Sequence, residues 1–165
     1  MKKEGKISIL YLDDEENNLV AFKANFRTFY TVYTTTSADE AMKILRSNKI
    51  NVVISDQRMP NVTGVQFFEN ILKEFPDPIR ILLTGYADIQ AVIEAINKGQ
   101  VYRYITKPFV ADDLKITIAN AFEVYALREE NAELMKKLLE ANQQLEFMLR
   151  QRILSLDIPP PGKSD

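Results

Sequence analysis

Hydrophobic and polar positions follow two alternating periods over the first two thirds of the chain. The β-branched and aromatic runs at residues 7–12, 31–36, 52–55, 81–83 and 104–106 have the length and composition of strands. Between them, apolar residues recur at steps of three and four, as on one face of a helix. Leu19, Phe22 and Phe26 make the face of a first helix, and Ser37 with Glu40 reads as the capping box of a second. A third follows Gly64 with Phe67, Phe68, Ile71 and Leu72, and stops near Phe75-Pro76, because a residue before proline disfavours the helical region. A fourth runs from about Ala87 through Ile89, Val92, Ile93 and Ile96, with Gly99 as its C-cap. The pattern predicts five strands with crossover helices, hence repeated βαβ units. The polar run at 31–36 suits a sheet edge.

The fifth helix starts after Pro108 and does not stop where the domain should, since no Gly or Pro occurs between Phe109 and Ile158. Val124, Asn131, Leu138 and Leu145 fall at one heptad core position, and Leu127, Leu134, Ala141 and Met148 at the other. That stripe predicts a coiled coil, with Asn131 setting register and favouring two parallel strands. The competing reading is a lone amphipathic helix folded back on its own domain. The expected organisation is a globular domain over 1–125, a coiled-coil helix over 126–156 continuous with its last helix, and a disordered Pro-rich tail over 157–165.

Composition narrows the chemistry. The 165 residues carry 21 Lys and Arg against 23 Asp and Glu, a net charge of -2 that offers no basic excess for nucleic acid. Without cysteine or histidine, disulfides, thiolate metal sites and the usual general base are excluded, leaving carboxylates, hydroxyls and lysine. The short apolar run behind the charged amino terminus is less than a signal peptide or a membrane span, so a soluble cytoplasmic protein is expected.

Those reactive types stand at strand ends: Asp13 and Asp14 after the first run, Asp56 after the third, Thr84 after the fourth and Lys107 after the fifth. In an open parallel sheet the crevice lies beyond the carboxyl ends of the strands, so the five converge. Asp13, Asp14 and Asp56 repel one another unless a cation sits among them, and hard oxygen ligands favour Mg²⁺ or Mn²⁺. Read singly, Asp13-Asp14-Glu15 also suits an acidic helix N-terminus, Lys107 a solvated loop and Thr84-Gly85 a turn. Together they suit phosphoryl transfer, with Asp56 as a nucleophile already ionised at neutral pH.

Leu12-Asp13-Asp14-Glu15, Ser55-Asp56-Gln57-Arg58-Met59-Pro60, Leu83-Thr84-Gly85 and Thr106-Lys107-Pro108-Phe109 resemble the receiver domain of two-component response regulators, in order and spacing, over about residues 6–125. The resemblance implies a flavodoxin-like, doubly wound α/β fold with strand order 2-1-3-4-5. It implies Asp56 as phosphoacceptor, and Mg²⁺ or Mn²⁺ held by Asp13, Asp14, Asp56 and the backbone carbonyl of Arg58. Thr84 and Lys107 would hold phosphoryl oxygens, and the Lys107-Pro108 peptide would be cis. Tyr104 matches the family's switch aromatic, though an ordinary strand-edge tyrosine reads the same. Arg58 and Tyr86 match positions that modulate acyl phosphate lifetime.

The implied partners are a histidine kinase or phosphotransfer protein, a second copy through the C-terminal helix as a parallel homodimer, and an unknown downstream protein, with no direct contact to nucleic acid or membrane. The 83–88 and 101–108 stretches resemble receivers fused to cyclic-dinucleotide phosphodiesterase or transcription-activating modules. Neither module is expected within these residues, so output is expected to pass through the fifth helix. No enzymatic activity is expected beyond self-catalysed phosphoryl acceptance and hydrolysis at Asp56. Three alternatives stand beside this: the front portion of a longer regulator lacking its effector domain, a passive dimerisation scaffold, and an aspartyl-phosphate hydrolase. The last usually carries an acid two residues after its nucleophile, where this chain has Arg58.

Overall fold

The computed structural model describes residues 5–156 and Gly162. The expected tail at 157–165 therefore lies outside the described residues, Gly162 excepted. Strands β1 (Ser8–Leu12), β2 (Thr31–Thr35), β3 (Val52–Asp56), β4 (Ile79–Thr84) and β5 (Arg103–Thr106) alternate with helices α1 (Glu16–Phe26), α2 (Ala38–Ser47), α3 (Gly64–Glu74), α4 (Ile89–Asn97) and α5 (Ala111–Ser155). All strand pairings are parallel, as repeated βαβ units predict, and the order is β2-β1-β3-β4-β5, as the resemblance implied.

Strand periodicity divides the core into two layers. Ile9 and Tyr11, Val52 and Ile54, and Ile79, Ile81 and Leu83 join Leu19, Phe22 and Phe26 of α1 and Leu114 and Ile118 of α5. Leu10 and Leu12, Val53 and Leu82 meet Ala41 and Leu45 of α2, Phe67, Phe68 and Ile71 of α3, and Val92 and Ala95 of α4. The polar strand β2 lies at an edge, as its composition predicted.

Three local differences have physical causes. Only half of the box expected at α2 forms, because Ser37 Oγ accepts the Glu40 amide while the Ser37 amide donates to Thr35 Oγ1. A complete box sits instead at α3, where Thr63 and Gln66 exchange side-chain-to-amide bonds of 3.2 and 3.0 Å. Thr63→Ala is expected to lower unfolding stability by about 1 kcal/mol, measurable by urea titration. On α4, Ile93 belongs to the predicted apolar face but is exposed, because Val92 and Ala95 are the residues turned to the sheet. Gly99 takes φ +73° and closes the helix with a Schellman pair, Gly99 N–H to Ile96 O and Gln100 N–H to Ala95 O.

Residue contacts divide the chain into Met1–Tyr125 and Ala126–Asp165. In the first unit, Leu114, Thr117, Ile118, Ala121 and Tyr125 of α5 are buried at helical spacing. In the second, every residue from 126 to 156 is exposed, including the heptad residues Leu127, Leu134, Leu138, Leu145 and Met148. Among the described residues no helix is long and apolar enough to cross a membrane.

Candidate functional site

The carboxyl ends of β1, β3, β4 and β5 carry the polar residues singled out in the sequence. Parallel register places them at one level: Leu12 pairs with Ser55, Asp56 with Leu83, and Thr84 with Thr106. One carboxylate oxygen from each of Asp13, Asp14 and Asp56 lies within 4.8 Å of the others. Asp13 is fully buried, Asp56 partly so, and Asp14 is exposed. Lys107 Nζ lies 2.9 Å from Asp56 Oδ1 and 3.5 Å from Asp13 Oδ2. The peptide that follows, Lys107-Pro108, is cis.

Asp56 Oδ1 also accepts the Gln57 amide at 3.0 Å. Burial pushes the Asp56 carboxyl above its ordinary value, and nearby Asp13 adds to this, against the downward pull of Lys107 and the Gln57 amide. Burial alone would lower Lys107, but its contacts with Asp56 and Asp13 win and hold its ammonium above the usual range. Three carboxylates against one ammonium leave an excess of negative charge, which suits a hard divalent cation with oxygen ligands.

Thr84 is buried, with its hydroxyl donating to the Gly85 carbonyl at 3.0 Å. Tyr104 pairs with Leu82 on the adjacent strand and packs, half-buried, against the α2–α3–α4 layer. The Arg58 side chain turns away from the carboxylates and forms a 2.8 Å ion pair with Asp88, while Tyr86 opens the 3₁₀ turn Tyr86–Asp88. The Asp13 reading as a helix-start acid also holds in part, since its Oδ1 accepts the Glu15 amide at 3.0 Å just before α1.

Three residues that the sequence reading passed over complete the site. Tyr11 donates its hydroxyl to Asp13 Oδ2 at 2.6 Å, and Asn18 Nδ2 reaches the same oxygen at 3.1 Å. Burial, then donation to Asp13, push the Tyr11 phenol far above its ordinary value, so it stays protonated. Gln57 is buried, and its side-chain oxygen accepts the Val65 amide at 3.1 Å, tying the end of β3 to the first turn of α3. Period two was the available signal for Tyr11, because a tyrosine two residues before Asp13 on a strand shares its face.

Comparison with known proteins places this arrangement in a family. Over 148 residues the chain is 32% identical to the hydrogenase transcriptional regulatory protein HoxA of Cupriavidus necator, covering 90% of this chain and 31% of that protein. The chain thus spans about a third of the length of this relative. The response regulator receiver domain protein from Clostridium thermocellum superposes with a TM-score of 0.69 at 35% identity, covering 73% of this chain and 98% of that one. The beryllofluoride-activated NtrC4 receiver domain dimer superposes with a TM-score of 0.65 at 32% identity, covering 72% and 98%. The model of the response regulator receiver domain matches residues 9–119, which runs from the second residue of β1 through most of the buried part of α5 and takes in all five strand-end residues, and the chain belongs to that family.

Proposed function

We propose that this chain is a phosphorylation-controlled switch that accepts a phosphoryl group on Asp56 from a histidine kinase or phosphotransfer protein. The observation that carries the reading is the 2.9 Å approach of Lys107 Nζ to Asp56 Oδ1 inside a cluster of three carboxylates at the carboxyl ends of the strands. An Asp56 oxygen attacks phosphorus, the bond from phosphorus to the donor breaks in line, and the donor leaves with that electron pair. Water later cleaves the acyl phosphate and restores the carboxylate. Lys107 and the Thr84 hydroxyl would hold phosphoryl oxygens, for which Thr84 must leave the Gly85 carbonyl. Asp13, Asp14, Asp56 and the Arg58 carbonyl would hold Mg²⁺ or Mn²⁺, which when bound supplies neutralisation of the charge gathered at the reacting oxygens.

Movement of Thr84 would open space for Tyr104 to turn inward, changing the face formed by α4, β5 and α5. Output would pass to a parallel homodimeric coiled coil over 126–156, whose heptad residues are exposed in the single chain. The proposed setting is the cytoplasm, with an unidentified downstream protein and no direct nucleic-acid contact. A second reading is favoured by the share of HoxA that the chain spans: these residues are the receiver portion of a longer regulator.

Intact mass after incubation with acetyl phosphate and Mg²⁺ tests the first step. A gain of one phosphoryl mass is expected, and no adduct where a control receiver reacts would sink the reading. For the second step, Leu138→Lys puts a charge into the heptad seam. Light scattering should then return a monomer with unchanged phosphoryl uptake, and a wild-type chain that is monomeric with and without phosphate would refute the coiled coil.

A further inference from the structure

Asp13 is fully buried, and its carboxylate is surrounded by donors from this chain. Oδ1 accepts the Glu15 amide at 3.0 Å, while Oδ2 accepts the Tyr11 hydroxyl at 2.6 Å, Asn18 at 3.1 Å and Lys107 at 3.5 Å. These donors are not equivalent. Lys107 also serves Asp56, and Asn18 also reaches Glu15 at 3.4 Å, so both are shared with other carboxylates. The single proton of the Tyr11 hydroxyl goes to Asp13. Its ring is held as well: Tyr11 is 2% exposed on β1 and lies tilted against Phe22, with centroids 4.4 Å apart. The shortest bond to Asp13 therefore comes from the one side-chain donor that is neither shared with another carboxylate nor free to move.

A carboxylate that takes a cation must present one lone pair at a fixed angle, and a hydrogen bond on another lone pair is what holds the plane of the group. We infer that Tyr11 is a positioning residue: by donating to Asp13 Oδ2 it fixes the carboxylate in the orientation that cation binding needs. Cation affinity then depends on a side chain that never touches the cation. The inference rests on the proposed reading of Asp13 as a cation ligand.

Tyr11→Phe keeps the ring and its packing on Phe22 and removes only the hydroxyl. Tyr30→Phe makes the same change in the same core layer, against Phe26 and away from Asp13. Calorimetric titration with Mg²⁺ of the unphosphorylated chain should give a Kd about tenfold weaker for Tyr11→Phe and unchanged for Tyr30→Phe. Equal affinity in Tyr11→Phe and wild type would overturn the inference while leaving the cation site standing. A wild-type chain that binds no Mg²⁺ would overturn the site reading itself, and the inference with it. Should Tyr11→Phe fold poorly, the native chain supplies an independent readout: the Tyr11 hydroxyl proton should give a slowly exchanging, downfield NMR resonance that shifts when Mg²⁺ saturates the site. A resonance that Mg²⁺ leaves unmoved would count equally against it.

Discussion

Asp56→Asn is expected to take up no phosphoryl group from acetyl phosphate and Mg²⁺, while the wild-type chain gains one. The amide keeps the shape of the side chain at the end of β3 but is no nucleophile at phosphorus, and Thr84 and Lys107 would be left with donors and nothing to hold. Intact mass spectrometry reads the result directly, and an adduct on the variant would remove Asp56 from the mechanism. Two further readouts separate loss of chemistry from loss of fold. Burial raises the Asp56 carboxyl above its ordinary value, so the folded state favours the protonated form. That contribution is present below the unfolded value and is lost as pH rises through the folded one, above which the ionised carboxylate weighs against folding. Asn resembles the protonated form and escapes this, so the metal-free variant should melt above wild type at neutral pH. Saturating Mg²⁺ should reverse the ranking, since only wild type keeps all three carboxylates to bind it. In wild type, the rate of uptake should rise with pH through the elevated Asp56 value and then level off, because only the ionised carboxylate attacks.

The strands and the gathering of the candidate site residues at their ends were legible for one reason: both are positioned by local order along the chain. Apolar runs closed by Asp13, Asp56, Thr84 and Lys107 put strand and site residue in one short segment, and parallel pairing did the rest. What escaped was what depends on partners distant in sequence or on competition between nearby groups. The apolar run of β4 read as starting at residue 81, because Arg80 interrupts it. The strand in fact begins at Ile79, and the buried Arg80 guanidinium donates to the carbonyls of Pro76, Pro78, Gly99 and Gln100. No pattern within 79–84 announces carbonyls from a loop twenty residues on. Ser37 had the right spacing to Glu40, but Thr35 reached its amide first. Arg58 stands out in the sequence for its place after Asp56, yet its ion pair with Asp88 joins the loop after β3 to the turn after β4, a contact across thirty residues.

Gly64→Ala should damage fold and site together. Gly64 is the first residue of α3, and a Cβ placed there would meet the Asp56 carbonyl oxygen at 2.5 Å and Leu82 Cδ1 at 2.5 Å. The carbonyl belongs to the backbone and has no rotamer in which to retreat, and Leu82 is fully buried. The start of α3 must therefore back away from the end of β3, stretching the bonds that Gln57 makes to the Gly64 and Val65 amides. Overpacking of this kind costs about 3 kcal/mol, which for a domain of this size lowers Tm by roughly 10 °C. Because the displaced atoms include the Asp56 backbone, the proposed phosphoacceptor moves too, and phosphoryl uptake should slow by about tenfold to a hundredfold even at temperatures where the variant is folded. Gly85 provides the contrast. It stands next to Thr84 with φ -82°, and a Cβ there meets nothing within 4 Å, so Gly85→Ala should leave stability unchanged or raise it by about 0.5 kcal/mol. Thermal unfolding of the two variants, with uptake rates measured well below either midpoint, checks both. A Gly64→Ala chain that melts with wild type would mean that the α3–β3 junction is not the close contact that holds Asp56 in place.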